Sequence, residues 1–104
     1  MSLRPFHLAV PVRDLVETRV FYRDIMGFQE GRSSDHWVDF DFYGHQFVIH
    51  LADEKESVHS NPVDGHDVPV PHFGVVLNWG DWESLANRLK EAQLKFIIEP
   101  YIRF

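Results

Sequence analysis

Residues 5–14 read PFHLAVPVRD and residues 71–81 read PHFGVVLNWGD. Each copy carries a histidine at its head, His7 and His72, then a small residue two places on, an apolar run and an aspartate. Side chains of a strand alternate between its faces, so His7, Ala9 and Pro11 fall on one side and Leu8, Val10 and Val12 on the other. The second copy repeats the pattern, with His72, Gly74 and Val76 opposite Phe73, Val75 and Leu77. The bulkier faces suit a covering helix, which leaves each histidine beside a small neighbour with room above it. A repeat of this kind places equivalent strands side by side by pseudo-twofold symmetry, which would bring His7 and His72 toward a common point.

Working outward from the first copy, helical spacing begins at Asp14. This residue is an N-cap candidate with Glu17 three places on, and Gly27 supplies a left-handed stop, so a helix over about 15–26 is expected. Thr18, Phe21, Tyr22 and Ile25 form its apolar stripe, with Glu17, Arg19, Arg23 and Asp24 on the wet side. Phe28 to Arg32, Trp37 to Phe42 and Gln46 to Leu51 read as strands, the last two joined in a hairpin across Tyr43-Gly44-His45. Residues 5–51 are therefore a βαβββ unit. Residues 52–71, polar and proline-bearing without a period, read as a connection. A second unit over 72–104 begins with a strand from His72 to Leu77. It continues with a helix capped at Asp81, with Trp82, Leu85, Leu89 and Ala92 on its buried stripe, and with a strand from Lys95 to Ile98. It stops about two strands short of the first.

Composition limits the chemistry. The chain has 104 residues, 44% hydrophobic and 14% aromatic, which fits one domain with a modest core. A net charge of −6 with ten scattered Lys and Arg gives no footprint for nucleic acid. No apolar run reaches membrane-spanning length and no signal peptide is visible, so a soluble cytoplasmic protein is expected. With no Cys, any metal must be held by the seven His and sixteen Asp and Glu, which means nitrogen and oxygen ligands.

Through PFHLAVPVRD, FYRDIMGF, GHQFVIHL and PHFGVVL with its following helix, essentially the whole chain resembles the vicinal oxygen chelate superfamily, the glyoxalase, bleomycin resistance and extradiol dioxygenase group. The resemblance implies an α+β fold in which paired βαβββ units form a cup-shaped mixed sheet, the second unit being incomplete at the C-terminus. It implies metal ligands at His7 and His72, a completing carboxylate whose place in the repeat lies past Phe104, and His50 in FVIHL as the ligand of glyoxalase I type members. Glu99 stands in the wrong part of the repeat to replace that carboxylate. His45 matches the acid and base of extradiol enzymes, and Tyr43 and Tyr101 are candidate donors to a substrate oxygen.

Two imidazoles and a carboxylate on one face suit a divalent metal, Fe(II) first, with Zn, Ni and Mn as alternatives. The expected activity is a metal-dependent dioxygenase acting on a catechol-like or other bidentate oxygen substrate. A glyoxalase-type lyase or isomerase and a metal-free binder of the bleomycin resistance type are the rivals. The superfamily's habit of pairing units across subunits implies a homodimer. His36, His59 and His66 read as solvated, Trp37, Phe40, Phe42 and Phe47 as core and cup wall, and Asp39 and Asp41 as facing water or lining the mouth.

Overall fold

The computed structural model describes residues 4–52, 59–63 and 66–101. The fold is α+β, and the chain divides into two compact units, Met1–Lys55 and Glu56–Phe104.

In the first unit β1 (His7–Val12) leads to α1 (Leu15–Val20), which runs directly into a π-helical turn over Phe21–Ile25. Then follow β2 (Glu30–Ser33), β3 (Trp37–Phe42) and β4 (His45–Leu51). The strands form one mixed sheet in the order β1-β4-β3-β2, with β1 parallel to β4 and the other pairs antiparallel. The expected βαβββ unit is thus present. A parallel β1–β4 pair cannot be joined by a tight turn, and the helix with β2 and β3 provides the crossover.

Local chemistry sets the element ends. The Asp14 carboxylate accepts the Glu17 amide at 2.9 Å, which satisfies one of the unpaired donors of the first turn. Gly27 ends the helix at φ 79°, a conformation costly for residues with a Cβ. Between these ends the helix widens: the Met26 amide reaches back to the Phe21 carbonyl at 2.8 Å. This five-residue spacing alters the expected stripe. Leu15, Tyr22 and Met26 pack on the sheet, while Thr18, Phe21 and Ile25 are half-buried at its flanks. On the opposite side, the Arg19 guanidinium pairs with Glu30 of β2 and fastens the helix to that edge strand.

The β3–β4 hairpin turns through Tyr43 and Gly44 at φ 50° and 87°, the paired positive angles that a two-residue connection requires. The Gly44 amide donates to Asp41 Oδ1 at 2.7 Å. Across the ladder Phe40 opposes Phe47, and Val38 opposes Ile49. These four, with Phe28, are the buried core, and Leu8, Val10 and Val12 of β1 pack against it. Tyr22 descends from the helix into this cluster, edge-on to Phe47 with centroids 5.0 Å apart. Burying side chains of this size contributes about 1.5–3 kcal/mol each, so the cluster is what holds helix to sheet.

The second unit departs from expectation. Within residues 52–71, read from the sequence as a connection without a period, His59–Val63 (β5) and His66–Val70 (β6) form an antiparallel pair. Pro62 and Pro69 hide this pair from a pattern reading. In a two-stranded ribbon every strand is an edge, where proline is tolerated. The expected strand from His72 to Leu77 is instead an irregular segment, and Lys95 to Ile98 likewise carries no ladder. Strand identity needs a hydrogen-bonded neighbouring strand, which β4 provides for β1; among the described residues, 72–77 stand in no ladder.

The second helix is present as α2 (Trp79–Glu91), but its cap is Asn78 rather than Asp81. Asn78 Oδ1 accepts the Asp81 amide at 2.8 Å, and Asn78 Nδ2 donates to the Asp81 carboxylate at 3.1 Å. The helix is therefore capped three residues before Asp81, and Asp81 serves its first turn. Ala86 is buried, and Trp82, Leu85 and Leu89 are half-buried around it as the stripe requires, whereas Ala92 is exposed at the C-cap. No helix among the described residues is long and apolar enough to cross a membrane.

Candidate functional site

The helix covers only one face of the four-stranded sheet. Pairing of His7 with Gln46 and Pro11 with His50 places His7, Ala9 and Pro11 of β1 on the other face, with Gln46, Val48 and His50 of β4. The β3–β4 register adds Trp37, Asp39 and Asp41. In β1 this face is exposed at each of its three positions while the alternate residues are half-buried, as the alternation in PFHLAVPV implies.

Three of these side chains are linked. His7 Nδ1 lies 2.8 Å from Gln46 Oε1, and Gln46 Nε2 lies 3.2 Å from each Asp39 carboxylate oxygen. An ionised carboxylate only accepts, so the Gln46 NH2 must face Asp39 and its carbonyl oxygen must face the ring. An oxygen acceptor at Nδ1 in turn requires the proton on Nδ1. The neutral His7 ring thus leaves the Nε2 lone pair available.

His50 occupies the same face between Pro11 and Trp37, four residues beyond Gln46 and so roughly 13 Å further along the strand. The Arg32 guanidinium lies over the Trp37 ring, 6.0 Å from its centroid. An open depression of about 370 Å³ adjoins the His7 end, lined in part by Pro5, Gly31, Asp39, Asp41, His45 and Gln46. Gly31 forms part of its wall beside the Asp39 side chain.

His45 behaves differently from His7. Its Nδ1 accepts the Phe6 amide at 2.8 Å, so the neutral ring carries its proton on Nε2. Tyr43 sits edge-on to Phe28 and Phe42, packed with the aromatic cluster rather than beside His7. His72 is exposed in the irregular segment ahead of α2, in the second unit. The His36 carbonyl accepts the Leu51 amide at 2.7 Å and closes the β3–β4 end of the sheet. Among the described residues, no group of three or more His, Asp or Glu is gathered closely enough to hold a metal ion. The donor chemistry of the open face still fits one: an imidazole with Nδ1–H fixed and Nε2 free is the form in which histidine binds a metal. Gln46 and Asp39, which fix that form, carry no local sequence signal as partners of His7. Only the register of three strands brings positions 7, 39 and 46 together.

Comparison with known proteins agrees with this architecture. Residues 4–101 match the Glyoxalase/Bleomycin resistance protein/Dioxygenase superfamily. A glyoxalase/bleomycin resistance protein/dioxygenase from Alicyclobacillus acidocaldarius, solved by crystallography, is similar to this chain at 31% identity and a TM-score of 0.68. The similarity covers 86% of this chain and 63% of that one, so the chain spans less than two thirds of that protein's length. No curated protein matches. A βαβββ unit with a histidine-headed first strand, together with these matches, means that the chain belongs to the glyoxalase/bleomycin resistance protein/dioxygenase superfamily.

Proposed function

We propose that the open face of the first unit is one wall of a divalent-metal site, and that the protein is a metal-dependent enzyme acting on a small molecule with two adjacent oxygen atoms. His7 is the primary ligand and His72, which heads the second copy of the repeat, is the second; His50, roughly 13 Å further along β4 than the partner of His7, is outside this set. The observation that carries this reading is the His7 ring, held through Nδ1 with Nε2 left to coordinate. When bound, the metal supplies a Lewis acid for paired substrate oxygens, and Fe(II) suits oxygen chemistry on a catechol-like ring.

The chain's own residues do the rest. His7 presents a neutral nitrogen, and Gln46 and Asp39 keep it from turning. His45, with Nδ1 engaged, carries its proton on Nε2 while neutral, so its part is that of a hydrogen-bond donor to a substrate oxygen in the depression it lines. Asp39 and Asp41 make that depression unwelcoming to anionic substrates, which favours a neutral catechol over a glutathione adduct. A lyase or isomerase of the glyoxalase type is the second reading, and it is the weaker one because His50, the ligand it would use, lies roughly 13 Å along the strand from the position paired with His7. A homodimer, in which a second copy supplies further wall and ligands, accords with the cytoplasmic enzyme proposed here.

Metal content after loading with Fe(II), Zn(II) or Ni(II) tests the proposal. One equivalent is expected in the unaltered protein, falling at least tenfold in His7→Ala and in His72→Ala with circular dichroism unchanged. Equal metal content in all three proteins would remove the site. Oxygen uptake on catechols by the Fe(II) form separates the dioxygenase from the lyase.

A further inference from the structure

We propose that Asp39 and Gln46 act as a positioning relay that sets the tautomer of His7. Imidazole in water prefers the proton on Nε2, which would block that nitrogen as a ligand. Here the preference is reversed by two linked contacts. Asp39 accepts through both oxygens of its carboxylate at 3.2 Å and holds the Gln46 NH2 toward itself. The Gln46 carbonyl is thereby aimed at His7 Nδ1, 2.8 Å away, where only a donor is satisfied.

Without Asp39, the amide of Gln46 could rotate by half a turn and present NH2 to the ring, which would reverse the tautomer. The carboxylate is therefore the element that gives the relay its direction, although it does not touch the imidazole. All three positions share one face by register, on three adjacent strands, so the backbone ladder holds their spacing. The use of the freed Nε2 for coordination rests on the metal reading above. The tautomer itself does not.

Long-range proton–nitrogen NMR on the 15N-labelled protein, at a pH where the ring is neutral, reads the tautomer directly. The His7 signals are assigned by their loss in His7→Ala. The unaltered protein is expected to show the Nδ1–H form, and Gln46→Leu the Nε2–H form. In the double variant Asp39→Asn/Gln46→Glu the polarity of the relay is exchanged. The amide introduced at position 39 donates, the carboxylate introduced at position 46 accepts from both neighbours, and the Nδ1–H form returns. An Nε2–H ring in the unaltered protein would overturn the proposal, as would an unchanged tautomer in Gln46→Leu or failure of the double variant to restore it.

Zinc affinity measured on the same proteins is expected to fall about 10–100-fold in Gln46→Leu and to recover in the double variant, the range usual for loss of an outer partner of a ligating histidine. If the tautomers behave as described but no variant, nor the parent, binds zinc, the relay stands and the metal reading fails.

Discussion

The backbone N–H of Phe6 donates to Nδ1 of His45 over 2.8 Å, pinning the segment that enters β1 to the first residue of β4. The bond lies beyond the ladder proper, next to the Gln46 amide that donates to the Phe6 carbonyl at 2.8 Å. Phe6 is thus held by its donor and its acceptor, immediately before His7.

This pin predicts a local effect for His45→Ala. A single exposed hydrogen bond contributes about 0.5–1.5 kcal/mol, so the loss in urea stability should stay in that range. Hydrogen exchange at the Phe6 amide should accelerate, while His45→Asn, whose side-chain oxygen can take the place of Nδ1, should retain much of the protection. Metal content should be unchanged in both, because His45 is outside the proposed ligand set. Unaltered Phe6 exchange in His45→Ala would show that the bond is not formed.

A second prediction concerns the β3–β4 turn. Gly44 has φ 87°, and a Cβ placed there meets nothing within 4 Å. Any loss in Gly44→Ala is then conformational rather than steric. About 1–2 kcal/mol is expected from forcing an L-residue into this region. Thermal denaturation should show the loss with the structure otherwise intact by NMR. No change in stability would mean that the turn does not hold the positive angle.

The first unit was legible in the sequence because its signals are local. Asp14 caps within three residues, Gly27 stops the helix where it stands, and Tyr43-Gly44 joins two alternating strands. The widened turn at Phe21–Ile25 was not legible, since it answers to the packing of Tyr22 and Met26 on a sheet formed by later residues. The second unit misled for a different reason. Resemblance between PHFGVVL and PFHLAVP concerns side chains, whereas a strand also depends on a neighbouring strand, and among the described residues 72–77 are in no ladder. At the candidate site His7 stood out by its place in the repeat. Gln46 and Asp39 did not, because their relation to His7 exists only through the order β1-β4-β3.

Truncating Ile49 or Phe47 on the covered face should cost far more than truncating Gln46 on the other. Ile49 is fully buried opposite Val38, and Phe47 is 1% exposed opposite Phe40. Ile49→Ala and Phe47→Ala should cost about 2–5 kcal/mol, a large part of the stability of so small a core. Gln46→Ala, on the opposite face, should cost less than about 1 kcal/mol because its partners His7 and Asp39 remain in contact with water. Urea midpoints of the three variants check the ordering. A Gln46 variant as damaging as the Phe47 variant would contradict the assignment of the faces.

Tyr22 gives a prediction at alkaline pH. Burial against Phe40 and Phe47 disfavours the phenolate and raises the Tyr22 pKa above its usual 10.0. The raised folded-state value fixes the sign. Below about pH 10 the phenol is protonated in folded and unfolded chains alike, and its contribution to stability is fully present. As pH rises past that point the unfolded chain ionises first, and stability falls until the folded-state pKa is passed. Tyr22→Phe removes this share but leaves Tyr43 and Tyr101 to titrate. Urea stability of both proteins should therefore be measured from about pH 8 to about pH 11, with the parent expected to lose more than the variant across that interval. Equal losses would mean that the Tyr22 hydroxyl reaches water in the folded protein as freely as in the unfolded one, and that the ring does not sit within the aromatic cluster as described.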